Sequence, residues 1–263
     1  MKRNVLRWGI LSVLVMCLFA GCGNTQSQAE KTILTVSAAA SLTDVLTELA
    51  EQYQTENENV QIDFTFGGSG ALQTQIEEGA ASDIFFSAAE SNMDALAEQN
   101  LIDADTRKDV LENKVVLVVP KDGNTETSFA NIAKTNNVIA LGEAESVPAG
   151  KYAKEIFTKM GTWEDVQSKA VFASNVREVL SWVEAGEADC GVVYATDAAT
   201  SEGVQVVAEV PAKYAPDVRY PAAVVSDSQN KEQAKAFLDF LISEKAAEAF
   251  TRYGFTYIAE SGV

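Results

Sequence analysis

TILTVSAAASLTDVLTELAEQYQTENENVQIDFTFGGSGALQTQIEEGAASDIFFSA, residues 32–88, decides the architecture. It opens on an alternating, β-branched run that reads as a strand. Leu42, Val45, Leu46, Leu49 and Tyr53 then recur at helical spacing, with Ser41 where an N-cap belongs. VQIDFTF (60–66) alternates again, GGSG (67–70) breaks it, ALQTQIEEG (71–79) reads as a short helix and SDIFFSA (82–88) as a third strand. The order β-α-β-α-β predicts a parallel sheet with helices on its faces.

The same grammar continues toward the C-terminus. SNMDALAEQN (91–100) and ADTRKDVLEN (104–113) read as helical, and KVVLVVP (114–120) as a strand buried on both faces. VIALGEAESVPAG (138–150) is strand then loop. AGKYAKEIFTKMG (149–161) is a helix with Tyr152, Ile156, Phe157 and Met160 on one side. NVREVLSWVEAGEA (175–188) is another, with Val176, Val179, Leu180 and Val183 facing inward. DCGVVYATDA (189–198) is a strand running into a turn. GVQVVAEV (203–210) and YPAAVVS (220–226) are further strands, and residues 231–255 form two helices.

Composition removes whole classes of function. The chain has no histidine, which excludes Ser-His-Asp and Cys-His catalysis and most zinc sites. A hydrolase built on Ser41 would have no visible base, so the chain is expected not to be an enzyme, and no cofactor is expected. The net charge is −18, which argues against nucleic acid as a partner. Asp44, Asp83, Asp189 and Asp197 lie near junctions, without the clustered oxygen spacing of a calcium loop, and read as caps and turn residues.

The N-terminus reads as an export signal. Lys2, Arg3 and Arg7 precede an apolar run from Trp8 to Ala20, too short to span a bilayer. Ala20 and Gly21 then precede Cys22, which resembles a bacterial lipoprotein box, with Phe19 where leucine is more usual. Residues 1–21 are therefore expected to be a signal peptide, and 22–31 a lipidated Cys22 with a polar linker. The protein is expected to be exported and lipid-anchored on the extracellular face or in the periplasm. Losing the signal's three cations takes the charge from −18 to −21. Cys190 is then the remaining thiol, in a context that reads as buried packing.

Strand-loop-helix junctions recur at Ser41, at Gly67–Gly70, at Val147–Gly150 and around Asn175. Each leaves backbone N–H groups free at a positive helix end, on the sheet edge where α/β proteins bind ligands. Several such ends at one crevice hold an anion without lysine or arginine. Read singly, each motif has a plainer use. Ser41 can be a cap, GGSG a flexible turn or an anion nest curled by positive-φ glycines, and Pro148 a helix starter. Arg177 can be an anion clamp or an internal ion pair, and Tyr194 a rim or core tyrosine.

Read together, these segments are more specific. AAASLTDVLTELA (38–50), FGGSGALQTQIEEGAASDIFFSA (66–88), SVPAGKYAKE (146–155), NVREVLSWVEAGEADCGVVYATDA (175–198) and RYGF (252–255) resemble the bacterial molybdate-binding protein family of ABC importers, in order and spacing, from Ile33 to Phe255. The resemblance implies a two-lobed periplasmic-binding-protein fold of type II. Each lobe would be a mainly parallel sheet flanked by helices, with the ligand cleft between them. Crossovers are expected near 114–120 and 219–225. Lobe one would hold residues 32–116 and 222–263, and lobe two 117–221.

The resemblance also implies a site. Ser41 and Ser69 would offer hydroxyl and backbone N–H from lobe one. From lobe two, Ala149 and Val176 would offer backbone N–H, and Tyr194 its phenol. The family often carries a serine-rich run where this chain has GGSG. The implied ligand is molybdate, with tungstate, and the implied partners are a permease and an ATPase that a monomeric binding protein serves. Another anion such as sulfate or phosphate is the alternative. A donor-only site predicts no carboxylate in contact with the ligand.

Overall fold

The computed structural model describes residues 31–259. The signal peptide, Cys22 and all but the last residue of the linker lie outside them. The chain runs β1 (Thr32–Ala39), α1 (Thr43–Glu56), β2 (Val60–Gly67), α2 (Ser69–Glu77), β3 (Ile84–Phe86), α3 (Glu90–Glu98) and β4 (Lys108–Glu112). It then passes into β5 (Val115–Pro120), β6 (Ile139–Gly142), α4 (Pro148–Lys159), α5 (Trp163–Gln167), β7 (Ala170–Ala173), α6 (Val176–Glu184), β8 (Cys190–Tyr194), α7 (Ala195–Ala199) and β9 (Val204–Glu209). It returns through β10 (Arg219–Val224), α8 (Lys231–Leu241), α9 (Glu244–Arg252) and β11 (Thr256–Tyr257).

The strands form two sheets, ordered β11-β4-β10-β3-β1-β2 and β7-β6-β8-β5-β9. Both place the second strand of their own βαβ run at the edge, then the first, then the third, then a strand entering from the other sheet. This repeated order is the two-lobed fold. Strand membership divides the sheets at Asn113–Lys114 and between Glu209 and Arg219, a few residues before the boundaries expected from sequence.

The expectation of mainly parallel sheets needs refining, because both are mixed. β1 pairs parallel with β2 and β3, and β6 parallel with β7 and β8. The crossover strands run against them: β10 is antiparallel to β3 and β4, and β5 to β8 and β9. A strand arriving from the other lobe enters from the opposite end, which sets its direction.

The periodic positions do what their spacing predicted. Val45, Leu46, Leu49 and Tyr53 of α1 are buried, as are Val176, Val179, Leu180 and Val183 of α6. Val115 to Val119 of β5 are buried throughout, as a strand covered on both faces must be. Two elements differ from expectation: the turn expected after β8 is helix α7. ADTRKDVLEN forms a single 3-10 turn at Ala104–Thr106 and then strand β4, where a helix was expected. β4 is paired on both edges, by β10 and β11, and Val110 and Leu111 are both fully buried. Adjacent buried residues erase the strand's alternation and mimic helical spacing. Cys190 is buried, and burial pushes its thiol up to about 12, so it is a packing residue with no thiolate to react.

Candidate functional site

The C-terminal ends of β1, β2, β3, β7 and β8 and the loop after β6 converge between the sheets. Together they line a small, half-open cavity with room for about one water-sized body. That is far below the usual volume of a pocket for a drug-sized molecule. Its lining includes Ser41, Gly68, Ser69, Ala88, Ala149, Val176 and Tyr194, and among the described residues that line it none is charged. All five residues singled out in the sequence therefore stand on the walls of one cavity.

Ser41 lies in a 3-10 turn, Ala40–Leu42, and is 3 % exposed. The capping expectation fails: the cap position of α1 falls on Leu42, and no side chain bonds there. The Ser41 hydroxyl instead pairs with the Tyr220 hydroxyl at 3.0 Å.

Ser69 is the first residue of α2 and fully buried. Its Oγ accepts the Ala88 N–H at 3.0 Å, which leaves its own hydrogen for another acceptor. The glycines beside it serve proximity, not the positive-φ curl expected of a nest. Positive-φ glycines in the described chain are at 79, 161, 186 and 254. A Cβ on Gly68 would sit 2.7 Å from the Ser146 carbonyl oxygen and 2.9 Å from that of Ser174, both in lobe two. The Gly70 N–H donates to the Ser146 oxygen at 2.9 Å, tying the lobes together.

Ala149 follows Pro148, which stands at the start of α4, and Val176 opens α6. Helix-opening N–H groups have no carbonyl of their own helix to bond. Asn175 caps α6 by accepting the Glu178 N–H at 3.0 Å, which leaves the Val176 N–H unclaimed by the cap. Gly150 is required by crowding, since a Cβ there would lie 2.0 Å from the Gly142 oxygen at the end of β6.

Tyr194 ends β8 at 1 % exposure, and its phenol oxygen has no hydrogen-bond partner. A buried unpaired hydroxyl costs about 1–3 kcal/mol, so it calls for an acceptor. Burial above all, with Tyr220, Tyr152 and Asp197 nearby, holds the Tyr194 phenol well above its ordinary range. It is therefore a donor throughout the physiological pH range.

Arg177 does not line the cavity. Its Nη2 donates to Asp44 Oδ2 of lobe one at 2.7 Å, and its Nε lies 2.5 Å from Asp197 Oδ1, a close ion pair out of hydrogen-bond alignment. Asp197 is fully buried, and desolvation pushes its carboxyl up to about 7 against the pull of Arg177. Asp83 and Asp189 staple backbone, accepting the N–H groups of Thr35 and Val138. A larger groove beside the cleft mouth is open surface, where Lys154 and Lys159 pair with Glu145 and Glu155.

Two contributors escaped the sequence reading. Tyr220 was read only as part of a strand, and Asn113 as the end of a helix, yet Asn113 Nδ2 donates to the Tyr220 hydroxyl at 3.2 Å. Nothing in their local sequence distinguishes them, because their role depends on the crossover bringing Tyr220 within reach of Ser41, 179 residues away in sequence.

Two lobes closed over a small, uncharged cavity walled by hydrogen-bond donors define a binding protein for a small solute. The chain belongs to the bacterial extracellular solute-binding protein family, which it matches over residues 34–256. It is 43 % identical over 251 residues to YvgL of Bacillus subtilis, provisionally named an ABC transporter substrate-binding lipoprotein, covering 94 % of this chain and 96 % of that one. It is 41 % identical over 245 residues to the molybdate-binding protein ModA of Escherichia coli K12, covering 90 % and 93 %. Among solved structures, the substrate-binding domain of a provisionally assigned molybdenum ABC transporter from Clostridium difficile superposes with a TM-score of 0.65 at 38 % identity. That match covers 87 % of this chain and 100 % of that one.

Proposed function

We propose that this protein captures molybdate, and tungstate with it, outside the cytoplasm and delivers it to the permease and ATPase of an ABC importer. The observation that carries the reading is the Tyr194 phenol, buried, permanently protonated and without a partner in a cavity that has no charged wall. A tetrahedral dianion only accepts hydrogen bonds. Ser41, Ser69 and Tyr194 supply hydroxyl donors, and Ser41, Ser69, Ala149 and Val176 supply backbone N–H groups. Charge-assisted bonds of this kind are about twice as strong as neutral ones, and burial adds to them. Charges on the acidic surface more than about 8 Å from the anion are largely screened at physiological salt.

Donors from both lobes make the anion a bridge that favours closure. Phosphate fits less well, because at neutral pH it carries a proton that needs an acceptor. Sulfate offers the same acceptors as molybdate in a smaller frame, so size separates them. The relatives' names support the same ligand. A role in capture, without catalysis or a cofactor, and a monomeric state accord with it. So does a lipid anchor at Cys22, which a lipoprotein relative at 43 % identity supports.

A thermal-shift panel tests the ligand. At 100 times its dissociation constant a ligand adds about 2.7 kcal/mol of stability. Molybdate and tungstate should raise the melting temperature at a concentration where sulfate and phosphate do not. Equal shifts from sulfate would overturn the assignment.

A further inference from the structure

Ser41 poses a question of direction. A serine hydroxyl can donate or accept, and only the donating form helps an anion. The hydrogen bonds behind it decide which form is present.

The Lys114 N–H donates to Asn113 Oδ1 at 2.8 Å, which fixes the orientation of that amide. Its Nδ2 therefore faces outward as a donor, to Thr196 Oγ1 at 2.8 Å and to the Tyr220 hydroxyl oxygen at 3.2 Å. Tyr220 thus receives a hydrogen from Asn113, and its own must go elsewhere. Its other partner is Ser41 Oγ, 3.0 Å away. Tyr220 is fully buried and packed edge-on against Tyr194 and Phe255, with centroids at 5.8 and 5.6 Å, so its ring is held in place. If Ser41 donated to Tyr220, the phenol would receive two hydrogens and its own would have only the neighbouring Tyr194 hydroxyl to turn to, which would take that hydroxyl's lone pair and leave Ser41 without a hydrogen for the anion.

We propose that Asn113 and Tyr220 form a hydrogen-bond relay that commits Ser41 to donating into the anion cavity. The relay starts at the β4–β5 crossover and passes through β10, so the backbone between the lobes sets the polarity of a ligand contact. Asn113 also bonds Thr196 of lobe two, so its amide is held from both lobes. Tyr220 and Asn113 are positioning residues: neither lines the cavity. This inference rests on reading the cavity as the oxyanion site.

A double-mutant cycle read by calorimetric titration with molybdate tests it, with thermal melting to check that each variant is folded. Tyr220→Phe should weaken binding about 5- to 10-fold, the equivalent of one hydrogen bond. Ser41→Ala should weaken it more. Adding Tyr220→Phe to Ser41→Ala should change affinity less than twofold, because the residue it acts through is gone. A merely structural role would give the same loss in both backgrounds, and that result, or no loss from Tyr220→Phe alone, overturns the relay. Wild-type affinity in Ser41→Ala would overturn the site reading as well. Asn113→Leu repeats the cycle from the other end of the relay should Tyr220→Phe fail to fold.

Discussion

Replacing Gly70 by alanine separates binding from stability. Gly70 is the second residue of α2 and has no positive φ, so alanine fits its backbone. Within lobe one the change favours the helix, by up to about 1 kcal/mol. Across the cleft it meets lobe two. The new Cβ would lie 2.8 Å from Ser146 Cα, 2.9 Å from the Ser146 oxygen and 3.1 Å from the Glu145 oxygen, all backbone atoms that cannot swing aside. Restoring ordinary contact requires the lobes to part by about half an ångström. That breaks the 2.9 Å bond from the Gly70 N–H to Ser146, worth about 0.5–1.5 kcal/mol, and stretches the charge-assisted bonds from one wall to the anion. The combined loss is about 2–3 kcal/mol, or roughly 30- to 150-fold in molybdate affinity. Calorimetric titration and an unliganded thermal melt read the two effects separately. Because the lost bond offsets the helix gain, the unliganded melting temperature should move by no more than a few degrees while affinity falls. Parental affinity in Gly70→Ala would refute the claim that this closed arrangement is the one that binds.

Further outcomes follow from the same geometry. Tyr194→Phe removes a donor to a charged acceptor and should cost about 1.5–3 kcal/mol of molybdate binding by titration. Val176→Ala, whose contribution is backbone, should stay within a few-fold of the parent; a large loss would reveal a side-chain role. Arg177→Ala leaves Asp197 buried without its cation and should lower stability by about 3–5 kcal/mol in chemical denaturation above pH 7, with much less loss in an Asp197→Asn background. Asp197 also sets a pH dependence. Its folded carboxyl is raised to about 7 from an ordinary 3.8, so the folded state holds the proton more tightly. Its contribution to stability is therefore present at pH 4, declines as pH rises toward 7 and is flat above, by at most about 4 kcal/mol. Melting curves across that range should flatten in Asp197→Asn, and an unchanged slope would place the effect elsewhere.

The fold was legible where one periodicity ruled a segment. The helix faces of α1, α4 and α6 and the apolar β5 follow directly from spacing. β4 is hidden because adjacent Val110 and Leu111 are both buried and erase its alternation, and sheet direction is hidden because crossovers are long-range events. The five site residues were placed by resemblance, and their motifs taken singly were ambiguous. Ser41 reads as a cap from its local sequence, but the cap position falls on Leu42 and the serine hydroxyl pairs with that of Tyr220, 179 residues away. The constraint on Gly68 and Gly70 comes from the opposite lobe, which no local window contains.

In the proposed site a protein of net charge −18 holds a dianion with neutral donors alone. Titrating the protein with molybdate from about 0.05 to 0.5 M sodium chloride tests it most directly. Screening weakens attraction to exposed cations and equally relieves repulsion from exposed acids. The cavity has no charged wall and the surface is acidic, so affinity should stay constant or tighten as salt rises. Affinity that falls steeply with salt would mean that cationic side chains hold the anion, and would contradict the account.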